Sequence, residues 1–138
     1  MLARMLIFSA VALTLVGANA CTRTVSHGVN ERGQVTGLVF PEITKDKQKR
    51  AVHPNLENLL KMRQGMTKYD VYHLIGTPHF REMLGAREWD YVFKYDYNNA
   101  ELYCQYKILF DKDARVGGMY WKPAECMTQM TMPSGQVK

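Results

Sequence analysis

The sequence predicts an α+β fold in which a two-helix hairpin packs on a three-stranded antiparallel β-meander. Two short stretches with helical spacing of apolar residues lie between positions 55 and 76. Three stretches with strand-like alternation follow between positions 88 and 121. Helices that precede a run of strands cover one face of an antiparallel sheet in α+β domains. With 138 residues, the chain has room for one such domain.

The N-terminal segment 1–20 has the layout of a secretory signal peptide. Arg4 gives it an early positive charge, an apolar stretch follows from Met5 to Val16, and small residues end it at 17–20. A signal peptide has this order of charge, apolar core and small-residue cleavage site. Because the apolar stretch is too short for a transmembrane helix, the protein is expected to be exported.

Cys21 follows this segment directly and leaves two forms of processing open. The residues Ala18-Asn19-Ala20 fit ordinary signal peptidase, whereas the same residues followed by Cys21 resemble a bacterial lipobox. Lipidation is favoured, because Cys21 is the odd one of three cysteines in an exported chain and otherwise needs a partner. A lipid on Cys21 would anchor the protein to a membrane that it does not span.

Residues 21–53 are expected to form an extended tether, because they show no sustained helical or strand period. Residues 38–43 are the part of this tether that is expected to be ordered. A basic stretch follows, and its cations are Lys45, Lys47, Lys49 and Arg50. Near a lipid anchor, this stretch would meet anionic head groups, and a solvated linker is the alternative.

Capping residues predict a helical hairpin at the start of the folded domain. Asn55 is the expected N-cap of the first helix, which Gly65 ends. Thr67 is expected to cap the second helix, with Asp70 three residues later as in a capping box, and Gly76 ends it. Neither helix is long enough to be stable alone, so a sheet must supply the packing surface.

Alternation of residue types predicts the three strands. Every second residue from Trp89 to Tyr97 is aromatic, which places five rings on one face of a strand over 88–97. A turn leads to a second strand over 101–110, and another turn leads to a third over 116–121. The folded domain is therefore expected to span 54–126, with a flexible tail over 127–138.

Cys104 in the second strand and Cys126 just after the third are expected to form a disulfide. They enclose a loop of about 20 residues, and a bridge of that size stabilises by roughly 3 kcal/mol in the chain-entropy model. A catalytic thiol is the alternative, although no C-x-x-C motif or activating base lies near either cysteine in the sequence.

The sequence offers no pattern for catalysis or for a bound metal or cofactor. Its four histidines are scattered, and none lies at metal-ligand spacing from a cysteine or carboxylate. It contains no G-x-S-x-G motif and no Gly-rich phosphate loop. No basic stripe with interleaved aromatics points to nucleic acid. A non-catalytic protein without cofactor, metal or nucleic-acid partner is therefore expected.

Several motifs lie in order between residues 56 and 123. They are Gly65-Met66-Thr67 with Val71 and Gly76-Thr77-Pro78, Gly85 with Trp89, Tyr91, Val92 and Phe93, and Phe110 with Lys122-Pro123. The first set resembles the G-M-T-x-x-x-V-x-x-x-x-G-T-P hallmark of the SmpA/OmlA lipoproteins, the BamE-like family. The second is similar to the G-x-x-x-W-x-Y-V-F strand of that family, and the third to its closing hairpin.

The resemblance implies the same two-helix, three-strand fold, no catalysis, and a lipid anchor at the periplasmic face of the Gram-negative outer membrane. It also implies an accessory role in the machinery that folds and inserts outer-membrane β-barrels. The implied partners are other subunits of that machinery and an anionic phospholipid, phosphatidylglycerol. The positions that match the family's extended docking segment are Phe40, Pro41, Glu42 and Ile43.

Two alternatives accompany this interpretation. Cleavage by ordinary signal peptidase would leave a soluble periplasmic protein without the lipid. The same fold would also serve an envelope lipoprotein that acts as a binding or inhibitor-like module on a different protein target.

Overall fold

The computed structural model describes residues 25–81, 87–97 and 99–131. The helices are α1 (Lys45–Arg50), α2 (Leu56–Leu60), α3 (Lys68–Ile75) and α4 (Glu125–Thr131). The strands are β1 (Phe80–Arg81), β2 (Glu88–Tyr97), β3 (Ala100–Phe110) and β4 (Val116–Lys122). Over these described ranges, no helix has the length and apolar character needed to cross a membrane.

The strands form one antiparallel sheet in the order β1-β2-β3-β4. The β2–β3 hairpin is long and regular, and its pairs run from Glu88 opposite Leu109 to Tyr97 opposite Ala100. β4 completes the predicted meander, with an irregularity at Leu109 and Phe110. The α+β fold class is therefore confirmed. β1 adds a two-residue edge that the sequence did not predict.

The predicted helical hairpin is confirmed in α2 and α3. The Asn55 side chain accepts a hydrogen bond from the Asn58 amide at the start of α2. At the start of α3, Thr67 and Asp70 form a reciprocal capping box, with the Thr67 amide 2.8 Å from the Asp70 carboxylate. Such caps satisfy amides that have no partner within the first helical turn.

The hydrophobic core lies between this hairpin and the inner face of the sheet. Its buried members are Leu59, Val71, Tyr91, Phe93, Cys104, Tyr106, Ile108, Phe110, Val116 and Cys126. The aromatic face predicted for β2 supplies the stacked pair Tyr91 and Phe93, whose ring centroids are 5.7 Å apart. This aromatic face is not buried along its whole length, because Tyr97 at the end of β2 is 40% exposed.

The outer face of the sheet is covered by residues 25–44, which we call the N-terminal strap. The Ser26 amide donates to the Glu88 carboxylate, and the Gln105 side chain donates to the Pro41 carbonyl. Val92 and Leu109, two apolar residues on this face, are completely buried. The structure thus differs from an extended tether over 21–53, because apolar side chains on both faces of the sheet require cover.

The terminal helices also differ from the sequence prediction. α1 forms within the expected tether, where Thr44 caps its start and Asp46 pairs with Arg50 at 2.8 Å. α4 occupies the beginning of the expected flexible tail, and its residue Cys126 is completely buried. Residues 132–138 of that tail lie outside the described residues, as do the expected signal peptide and Cys21.

Candidate docking surface

The four residues of the expected docking segment, Phe40 to Ile43, differ in how far the sheet buries them. Pro41 is buried and its carbonyl accepts the hydrogen bond from Gln105. Phe40 is half-buried, and its ring centroid lies 5.8 Å from Lys107 Nζ and 5.9 Å from Lys122 Nζ. Glu42 is exposed and Ile43 is half-buried. The side chain of Glu42 is thus the best placed of the four to meet a partner.

A buried ion triad lies on the sheet beneath the docking segment. Lys107 Nζ is 2.9 Å from a Glu88 oxygen and 2.7 Å from Asp90 Oδ2, and the Lys107 side chain is fully buried. Among the described residues, nothing donates a hydrogen bond to the other oxygen, Asp90 Oδ1. One cation therefore serves two carboxylates in a site that water does not reach.

Burial changes the acidity of one member of the triad. Desolvation raises the pKa of the Asp90 carboxyl to about 6. It outweighs the attraction and hydrogen bond of Lys107, and repulsion from Glu88 adds to it. A protonated Asp90 gives the triad no net charge, whereas an ionised Asp90 leaves one buried negative charge in excess. A buried charge without a full partner is costly.

Sequence reasoning missed this triad, although a signal for it was present. Glu88 and Asp90 alternate with the aromatic residues of the strand, so they lie on the face opposite the rings, and such a face is often solvated. The turn near residue 99 fixes the pairing of the hairpin, and that pairing places Asp90 opposite Lys107. Opposite charges at facing positions, next to the apolar Val92 and Leu109, indicate a covered face.

The four basic residues expected to face lipid lie on α1, but they do not share one environment. Lys47 turns toward the protein, with its Nζ 4.3 Å from the centroid of the Phe80 ring. Arg50 is exposed and pairs with Asp46. Lys45 and Lys49 are exposed. Three of the four cations therefore face solvent, beside Glu42 and Ile43 in the sequence.

His79 fastens α1 to the sheet. Its Nδ1 accepts a hydrogen bond from the Val92 amide at 3.1 Å, and its Nε2 lies 2.8 Å from the Arg50 carbonyl. Because Nδ1 accepts a hydrogen bond, Nε2 is the ring nitrogen that donates one to the Arg50 carbonyl. This arrangement holds the C-terminal end of the basic helix at a fixed place on the sheet edge.

A second surface, which sequence reasoning did not identify, lies on α2 and α3. Leu60, Tyr69 and Tyr72 are between 52% and 71% exposed. The His73 ring packs edge-on against Tyr69 with centroids 4.1 Å apart. An adjoining cavity of about 670 Å³ is lined in part by Arg63. Large exposed apolar side chains that cluster in this way are typical of protein interaction sites.

Cys104 and Cys126 form a disulfide in the structure, with their Cα atoms 5.9 Å apart. Both are completely buried in the hydrophobic core, so the bond ties α4 to the centre of the sheet. No group of three or more His, Cys, Asp or Glu residues is arranged to hold a metal ion in the part of the chain that the structure describes.

Residues 51–119 match the family model of the outer membrane protein assembly factor BamE domain. The chain belongs to this family. The BamE domain covers α2, α3, β1, β2, β3 and the first residues of β4. Its members are accessory, non-enzymatic factors of outer-membrane protein assembly, and they are associated with the cell envelope. The N-terminal strap, α1 and Cys126 lie outside the matched BamE residues.

Proposed function

We propose that the protein is a non-catalytic, lipid-anchored scaffold that assists the assembly of β-barrels at the periplasmic face of the outer membrane. The BamE domain match over 51–119 is the observation that carries this proposal. Subunits of the β-barrel assembly machinery are the proposed partners, and Cys21 is the proposed site of the lipid.

The short distance between Cys21 and the folded part of the chain supports a position close to the membrane. Four residue steps separate Cys21 from Val25, where the described structure begins, and they span at most about 14 Å when fully extended. The exposed cations of α1 follow on the same N-terminal part of the chain. Such cations each contribute about 1 kcal/mol when they lie close to an anionic membrane surface. An anionic phospholipid is therefore a proposed second contact.

Glu42 and Ile43 are the proposed protein contacts within the docking segment. The Glu42 side chain is exposed, and Ile43 presents part of its apolar surface next to it. An exposed charge beside a partly exposed apolar side chain gives an interface both a polar rim and an apolar contact. In the sequence, both residues lie between Cys21, the proposed site of the lipid, and the BamE domain.

Affinity purification from envelopes, with partners identified by mass spectrometry, tests the proposal. The full-length chain is expected to recover subunits of the assembly machinery, and a Glu42→Lys/Ile43→Asp variant is expected to lose them. Asp96→Lys is the matched control, because Asp96 is exposed on β2 and lies away from the docking segment in the sequence. Recovery of the chain without any of those subunits would overturn the proposal.

A second candidate function is that of an envelope lipoprotein that binds a different protein target. The exposed Leu60, Tyr69 and Tyr72 favour it, because these large side chains lie on α2 and α3, outside the docking segment in the sequence. Under this candidate, a Tyr69→Ser/Tyr72→Ser variant loses its co-purified protein, whereas the Glu42→Lys/Ile43→Asp variant keeps it. The same purification therefore distinguishes the two functions.

A further inference from the structure

We propose that residues 38–44, which we call the covering loop, form a proton-linked cover over the sheet. The loop closes over the ion triad when the Asp90 carboxyl is neutral, and it opens when that carboxyl is ionised. Opening releases Phe40 and Pro41, the two docking-segment residues that the closed loop holds against the sheet.

The covering loop is fixed at both ends. At its N-terminal end, His27 and Gly37 form an antiparallel bridge, and the Arg87 side chain donates to the Asn30 carbonyl at 2.6 Å. At its C-terminal end, α1 is fixed by the contact between His79 and Arg50. A segment between two fixed ends is able to lift without unfolding the sheet beneath it.

The contacts that close the loop are made on and around the triad. The Phe40 ring lies over Lys107, and the Pro41 carbonyl accepts from Gln105, two residues before Lys107 on β3. The Val39 amide donates to the Ser26 hydroxyl at 3.1 Å, and the Ser26 amide itself donates to Glu88. Lifting the loop therefore admits water to the triad.

Water that enters the triad shifts the equilibrium between the neutral and the ionised form of the Asp90 carboxyl. In the closed loop, Asp90 Oδ1 has no hydrogen-bond partner among the described residues, and burial disfavours the carboxylate. In the open loop, water solvates both oxygens, while Lys107 still favours the charged form. Because the two states prefer different forms of Asp90, protonation and closure are linked.

Other charged groups lie around Asp90, and their charges also act on its carboxyl. On the sheet these are Lys107 and Glu88, and Lys122, whose Nζ is 5.9 Å from the centroid of the Phe40 ring. At the sheet edge, the His79 amide donates to the Asp90 carbonyl, and Lys47 lies over Phe80, which pairs with Asp90. Arg87 binds the strap, and Glu42 is the charged residue of the loop itself.

The size of the linkage follows from the acidity of Asp90 in the two states. Its pKa is about 6 when buried, against an ordinary value of 3.8. We assign the first value to the closed loop and the second to the open loop. The equilibrium constant for opening then rises about tenfold between pH 5 and pH 7.5 and reaches a plateau at higher pH.

Cysteine labelling of the full chain measures this opening. In Pro41→Cys the new thiol is covered by the closed loop, whereas in Glu42→Cys, the matched control, it is exposed. The ratio of the two labelling rates with dithiodipyridine cancels the pH dependence of the thiol itself. That ratio is expected to rise about tenfold from pH 5 to pH 7.5. Adding Asp90→Asn is expected to make it independent of pH, whereas adding Asp96→Asn at an exposed position of β2 leaves the rise in place.

Several outcomes would overturn the proposal. They are a ratio that does not change with pH, a rise that survives Asp90→Asn, and a rise that disappears with Asp96→Asn alone. If Asp90→Asn does not fold, carbon-13 NMR of the unaltered chain replaces it, and an Asp90 carboxyl already ionised at pH 4.5 contradicts the proposal. Because labelling uses the isolated protein, its result is independent of whether the docking segment binds the assembly machinery.

Discussion

Lys107 Nζ lies 2.7 Å from Asp90 Oδ2 across the β2–β3 hairpin, and both side chains are buried beneath the N-terminal strap. This pair, with Glu88 as its third member, sets the electrostatics of the outer sheet face. It also connects the stability of the fold to the segment that we propose docks on partners. The first two predictions concern this site.

The stability of the protein is expected to fall as the pH rises through the titration of Asp90. Its pKa is about 6 in the folded chain and 3.8 ordinarily, so the folded state binds more protons between these values. The stabilisation is complete below pH 3.8 and is lost as the pH passes 6, with a limit of about 3 kcal/mol for a shift of this size. In Asp90→Asn, this loss of stability with rising pH is expected to disappear. Urea denaturation at pH 4.5 and pH 7.5 measures the free energy of unfolding of both proteins. If that free energy changed equally with pH in the two, the assignment to Asp90 would be wrong.

Replacing Lys107 by methionine is expected to destabilise the protein by about 3–5 kcal/mol, because two carboxylates then remain buried without a cation. The control is Lys94→Met on the neighbouring strand. Lys94 is partly exposed and its Nζ is 3.5 Å from Glu101, so its loss is expected to cost less than about 1 kcal/mol. Chemical denaturation of both variants checks the difference. Similar losses for the two would show that the triad contributes no more than a surface ion pair.

A methyl group at Gly117 is expected to push the strap away from β4. An added Cβ would lie 2.1 Å from the Arg32 carbonyl oxygen and 2.8 Å from the Gly33 Cα, and both are backbone atoms. Gly117→Ala is therefore expected to destabilise by about 1–3 kcal/mol. At the adjacent Gly118, the three atoms nearest to an added Cβ belong to the outer end of the Tyr120 side chain and none to the backbone. Gly118→Ala should cost less, and faster hydrogen exchange of the strap in Gly117→Ala alone locates the effect.

Removing the disulfide is expected to lower the free energy of unfolding by about 3 kcal/mol, as for a closed loop of this length. The variant is Cys104→Ala/Cys126→Ala, which keeps small apolar side chains at both buried positions. Thermal denaturation measures the loss, and the unaltered protein after full reduction serves as the comparison. If the variant matched the oxidised protein in stability, the bond would have no stabilising role.

The inner half of the fold was predictable from the sequence because its signals are local. The side chains of Asn55 and Thr67 accept N-cap hydrogen bonds, so these residues indicate where helices begin, and Gly76 indicates where one ends. The alternation from Trp89 to Tyr97 identifies β2 and the face that packs on the helices. Each of these features is contained in about ten neighbouring residues.

The outer half was not predictable in the same way, because its signals are shared between distant segments. α1 contains no apolar residue, so it has no periodicity, and it depends on its Thr44 cap and on contacts to His79. The burial of Asp90 was not predictable, because alternation alone does not distinguish a solvated face from a covered one. The covering loop lies over the sheet through pairs such as Pro41 and Gln105, which are far apart in the sequence.

The burial of Cys126 beside Cys104 gives the protein a dependence on its cellular route. A chain still in a reducing compartment would have to complete its core with two free thiols, and α4 would be held by packing alone. Disulfides form and persist in oxidising spaces such as the bacterial periplasm. If the chain is exported as we propose, the disulfide fixes α4 only after the chain reaches such a space, and completion of the core follows export.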